Sequence, residues 1–109
     1  MEYKYGEFTE NQIKETKDYI RKQIFFLLLI VDPKTRENYS NYNVEKTFNS
    51  LLLKFGGLNS LLEQPPEFVS VMSLLEAALI EYTSEDFDYQ IYRKLILDAG
   101  SEVLKIKEV

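Results

Sequence analysis

Ile24-Phe25-Phe26-Leu27-Leu28-Leu29-Ile30-Val31 is a run of eight apolar residues without a charge or a glycine. At ~1.5 Å per helical residue it covers roughly 12 Å, well short of the ~20 residues that cross a membrane. It therefore reads as the centre of a folded core that the rest of the chain must wrap. Periodicity alone cannot type such a run, and a central β-strand is the rival reading. The residues upstream decide between the two. Ile13, Ile20, Ile24, Leu27, Leu28 and Val31 recur at helical spacing, while Lys14, Glu15, Asp18, Arg21 and Lys22 take the other side. No turn signal breaks the phase, so one helix is predicted over about 10–31. Thr9 and Gln12 make a capping box at its start, with Glu10 in the first turn. Asp32-Pro33 ends it, because the residue before proline avoids the α region.

Three further helices follow from the same logic. Residues 33–43 form a polar loop whose Tyr39 and Tyr42 could present themselves to a partner or dock back on the core, and docking is the expectation. Asn43 is a good N-cap for a helix over about 44–55, with Val44, Phe48, Leu51, Leu52 and Phe55 inward. Gly56-Gly57 is expected to stop that helix, and residues 58–63 read as one short helical turn. After Gln64-Pro65-Pro66, a third helix runs over about 66–82, with Pro66 in its first turn. Its stripe is Phe68, Val71, Met72, Leu75, Leu79 and Tyr82, widened by Val69, Leu74, Ala78 and Ile80. A helix this apolar is either central or has a second face covered by another chain. Thr83 to Asp86 make a turn and cap, and a fourth helix is predicted over about 86–99. It carries Phe87, Ile91, Tyr92, Leu95, Ile96 and Ala99 and ends before Gly100. The last residues add a further helical turn or, as second choice, a strand pairing with Tyr3–Tyr5 to form a two-stranded ribbon of the termini. The expectation is an all-α bundle of four main helices in a single domain, residues 1–109.

Composition narrows the function classes. The chain of 109 residues is 45% apolar, with seven Phe and eight Tyr, and its formal net charge is −5. A folded core is expected, and a general phosphate-backbone binder is not. Lys14, Lys17, Arg21 and Lys22 could face DNA, but Glu15 and Asp18 interleave them, and a solvated face laced with ion pairs is the better reading. Behind Glu2, Tyr3, Lys4, Tyr5 and Gly6 no apolar leader follows, so a cytoplasmic protein is the default.

The chain holds no histidine and no cysteine. The commonest general base and the usual zinc ligands are therefore missing, and neither metal nor cofactor is expected. Asp86-Phe87-Asp88 opens like a calcium loop but lacks the glycine and the later ligands. Catalysis would have to rest on a shifted Glu or a Lys, and the expectation is a protein that is not an enzyme.

Between Lys54 and Arg93 there is no basic residue, while seven acids fall there. Within that span Glu81, Tyr82, Glu85, Asp86, Asp88, Tyr89 and Tyr92 form an acidic and aromatic cluster around Phe87. Tyrosine gives rigid contact area with a polar tip, and carboxylates around it favour a basic partner. The plainer alternative has Phe87 and Tyr92 in the core, Tyr89 half-buried and the acids merely solvated.

The stretches 27–33 (Leu-Leu-Leu-Ile-Val-Asp-Pro), 73–82 (Ser-Leu-Leu-Glu-Ala-Ala-Leu-Ile-Glu-Tyr) and 92–103 (Tyr-Arg-Lys-Leu-Ile-Leu-Asp-Ala-Gly-Ser-Glu-Val) resemble small uncharacterised proteins of bacterial prophages and mobile elements. That resemblance implies an adaptor, an assembly chaperone or an inhibitor of a host system. The Glu/Asp/Tyr cluster is similar in style to small acidic immunity proteins of nucleases. Two functions are thus expected in order: a self-associating protein-interaction module, then an acidic inhibitor of a nucleic-acid enzyme.

Overall fold

Helix α1 spans Glu10–Leu29 and carries most of the apolar run within it. Ile24 and Leu27 are fully buried, Ile30 and Val31 almost so, and Phe25, Phe26 and Leu28 pack partly against the core. Only Leu29 turns outward. In this computed structural model residues 2, 3, 6, 7, 10–61 and 64–106 are described. Thr9, and with it the expected capping box, lies outside the described residues.

The helix stops two residues before the predicted end, and each of its last four carbonyls finds a donor. The Phe26 carbonyl accepts from Ile30 N–H, and that of Leu28 from Val31 and Asp32 N–H. The Leu29 carbonyl accepts from the Thr35 hydroxyl at 2.7 Å. The Leu27 carbonyl loses its intrahelical partner when Val31 bonds to Leu28 instead, and the Tyr92 hydroxyl replaces it at 2.7 Å. A helix end buried against the core needs such partners.

Helix α2 spans Val44–Leu61. Asn43 caps it as expected: its side chain accepts from Lys46 N–H at 2.9 Å. Gly56-Gly57 does not stop it, and the separate turn expected over 58–63 is its continuation through Leu61. Each glycine costs a helix about 1 kcal/mol relative to alanine. Phe55, fully buried on one side of the pair, and Leu58, packed against the core on the other, hold the segment helical. The chain turns later, where Gln64 adopts φ 56° and donates to the Asn59 carbonyl.

Helix α3, Pro66–Thr83, begins with Pro66 in its first turn and buries Phe68, Val71, Leu75 and Ala78. Helix α4 spans Tyr89–Leu104 and buries Tyr92, Ile96, Ala99, Gly100 and Val103. It starts three residues later than predicted, because Asp88 rather than Asp86 is the N-cap, its carboxylate accepting from Gln90 N–H at 2.8 Å. It also runs through Gly100. A Cβ at that position would lie 2.8 Å from Phe25 Cε1, so Gly100 marks the close approach of α4 to an aromatic ring on α1. Of the further helical turn expected at the end, α4 includes the part through Leu104, and residues 107–109 lie outside the described residues.

The architecture is an all-α four-helix bundle. Helix α4 lies between α1 and α3, and α2 packs on α3 and α1. Lys17 donates to the Ile106 carbonyl while Tyr92 reaches Leu27, so α1 and α4 run antiparallel. That lysine sits at the negative end of α4. One apolar cluster, from Ile20 to Ile106, joins all four helices. Tyr39 docks on the core as expected, edge-on to Phe26 at 5.4 Å between centroids, while Tyr42 meets the same ring at 5.1 Å but stays 48% exposed. A ribbon between the two ends does not form among the described residues. Leu104 is helical, and the N-terminal pairing is local, Glu2 opposite Glu7 and Tyr3 opposite Gly6. No helix among the described residues is long and apolar enough to cross a membrane.

Candidate functional site

The turn from α3 to α4 places the acidic and aromatic cluster at one end of the bundle. Three hydrogen bonds set its shape. Ser84 N–H donates to the Glu81 carbonyl, closing α3. The Ser84 hydroxyl accepts from Asp86 N–H at 3.2 Å. Asp88 N–H donates to the Glu81 carboxylate at 3.0 Å. Glu81 thus holds the backbone N–H of the residue whose own side chain caps α4, so one carboxylate on α3 fixes the residue that starts the next helix.

The seven candidate residues separate into three kinds. Glu85 and Asp86 are exposed, and no hydrogen bond of this turn is accepted by their carboxylates. Glu81 and Asp88 are brought into contact and build the turn. Tyr82, Tyr89 and Tyr92 belong to an aromatic group with Phe48 and Phe87. Tyr92 is its hub: the centroids of Phe48, Tyr82, Phe87 and Tyr89 all lie between 5.9 and 6.3 Å from it. These spacings suit edge-to-face and offset packing.

Tyr92 is fully buried and offers no surface to a partner. Burial pushes its hydroxyl well above the ordinary tyrosine range, so it stays a donor to Leu27. Tyr89 is half-buried, and its hydroxyl donates to Asp32 at 2.9 Å. Burial first, and the Asp32 carboxylate second, push that hydroxyl up to about 12. The Lys34 backbone N–H and then Tyr89 hold the Asp32 carboxyl below the usual carboxylate range. Tyr89 therefore ties the start of α4 to the loop after α1.

Two residues of this corner, counted from the sequence among the apolar residues of their helices, stand outward. Ile80 is 70% exposed and Ile91 51%. Ile80 is next to Glu81, and Ile91 is in the first turn after Asp88. Phe87, 39% exposed, keeps an open edge beside its contact with Tyr82. The signal for Ile80 lies in the spacing. It is two residues from both Ala78 and Tyr82, about 200° round the helix from either.

None of Glu81, Glu85, Asp86 and Asp88 forms an ion pair among the described residues, where the pairs are Lys94–Asp98 and Lys105–Glu102. No group of three or more potential metal ligands gathers among the described residues. Compared with protein-family models, curated proteins and solved structures, the chain gives no significant match.

Proposed function

We propose that this chain is a non-enzymatic protein-interaction module, able to self-associate, whose contact surface is the corner where α3 passes into α4. One observation carries the reading. Ile80, Phe87 and Ile91 expose apolar area within a turn of the Glu81–Asp88 hydrogen bond, and beside them in sequence stand Glu81, Glu85, Asp86 and Asp88, which form no ion pair among the described residues. Apolar side chains inside a charged rim are the usual make-up of a protein contact. The corner is also held firmly by its caps, so little ordering is left to do on binding. The adaptor role in a phage or mobile element rests on the resemblance of the sequence alone.

The test compares capture of proteins by the wild type and by the Ile80→Asp/Ile91→Asp variant. Both positions are exposed, so circular dichroism should match. A protein retained by the wild type and lost by the variant supports the reading, and equal recovery overturns it.

Glu85 and Asp86, exposed and in no ion pair among the described residues, favour a second reading, an acidic inhibitor that occupies the basic site of a nucleic-acid enzyme. Asp86→Asn/Asp88→Asn should then slow association and blunt its salt dependence. The fold should persist, since asparagine caps helices as well as aspartate does.

A further inference from the structure

A cleft of about 490 Å³ opens between the second half of α1, residues 41–43 and the first turns of α2. Phe26, Tyr42 and Leu51 give it apolar walls, and Lys46 and Lys54 are its charged residues; the rest of the lining is uncharged and polar. In a chain of net charge −5 this is a local reversal of sign. Neither lysine forms an ion pair among the described residues. Tyr42 is 48% exposed and stands edge-on to Phe26, so the aromatic wall is already assembled. A volume of this size suits a few side chains rather than a whole domain.

The turn between α3 and α4 carries the complement. Glu85 and Asp86 are exposed acids, and Phe87 beside them presents an aromatic edge. We propose that the cleft receives the Glu85-Asp86-Phe87 segment of a second copy of this chain. Phe87 meets the wall of Phe26, Tyr42 and Leu51, and the two carboxylates face Lys46 and Lys54. Both elements sit at the same end of the bundle. Tyr89, just past the turn, reaches Asp32 in the loop after α1, and that loop leads to the cleft at Asn43. A two-fold axis at that end lets each copy give its turn and receive its partner's, which closes the assembly at two. The inference rests on the reading of the α3–α4 corner as a contact surface and names its partner.

Sedimentation equilibrium at low salt tests it with two charge-reversed variants, Lys46→Glu/Lys54→Glu and Glu85→Lys/Asp86→Lys. All four positions are exposed, and circular dichroism checks that both variants fold. The wild type should dimerise. Each variant alone sets like charges together at both contacts, and its dimer should weaken at least about a hundredfold. An equimolar mixture restores opposite charges at both contacts and should dimerise again. A monomeric wild type, or variants that dimerise unchanged, or a mixture that stays monomeric, overturns the proposal. A monomeric wild type that still captures another protein through Ile80 and Ile91 would leave the interaction reading standing and remove only the second copy.

Discussion

The hydroxyl of Tyr92 donates to the carbonyl of Leu27 at 2.7 Å, across the α1–α4 interface and inside the core. Leu27 has no intrahelical donor, because Val31 bonds to Leu28 as the helix ends. Tyr92→Phe keeps the ring and leaves that carbonyl buried and unpaired. The expected loss is about 1–3 kcal/mol. Urea unfolding should show a lower midpoint with an unchanged slope.

Gly100 gives a second prediction at the same interface. Gly100→Val would drive a side chain into the ring of Phe25, which also lies under Arg21 at 5.2 Å. Overpacking of this kind costs about 1–3 kcal/mol. Thermal unfolding should start earlier, with helix content at low temperature unchanged.

Much of this interface was legible and part of it was not. The phase from Ile13 to Val31 made α1 a helix, and the inward spacing of Tyr92, Ile96 and Ala99 was present in the fourth. Gly100 misled because a glycine after an apolar stripe and before Ser101-Glu102 reads as a stop. Here it is a packing site, and only the approach of Phe25 from 75 positions away reveals that. Gly56-Gly57 misled for a related reason, since burial of Phe55 outweighs the local cost. At the candidate site the acids and aromatics were all visible in the sequence. Their division into cap, core and surface depends on which carboxylate meets which N–H, and spacing does not encode that.

Asp88 and Glu81 separate cap from contact. Asp88→Ala removes the acceptor for Gln90 N–H and should cost about 1 kcal/mol, while Asp88→Asn should be near neutral. Glu81→Ala frees the Asp88 N–H and should destabilise in the same direction. Chemical unfolding of the three variants in parallel orders them.

The Tyr89–Asp32 bond predicts a dependence on pH at both ends. Asp32 titrates below its ordinary range in the folded state, so its contribution is present above that range and is lost as pH falls through the lowered value. Asp32→Asn should flatten the acid limb of a stability curve. Tyr89 has a raised value, so its contribution is whole below its ordinary 10.0 and is lost as pH rises toward about 12. Ultraviolet titration should show late tyrosinate formation, from Tyr89 and, later still, from the buried Tyr92; the Tyr89 step disappears in Tyr89→Phe and moves earlier in Asp32→Asn.

The account stands on the α3–α4 corner being touched by another protein chain. A photo-crosslinking residue placed in turn at Ile80, Ile91 and Leu104 tests this in cells of the natural host. Leu104 is also exposed and apolar but sits at the far end of α4 from the corner. Adducts of one protein-sized mass from positions 80 and 91, and none from 104, are the predicted result. No adduct from 80 or 91, or the same adducts from all three positions, would contradict it.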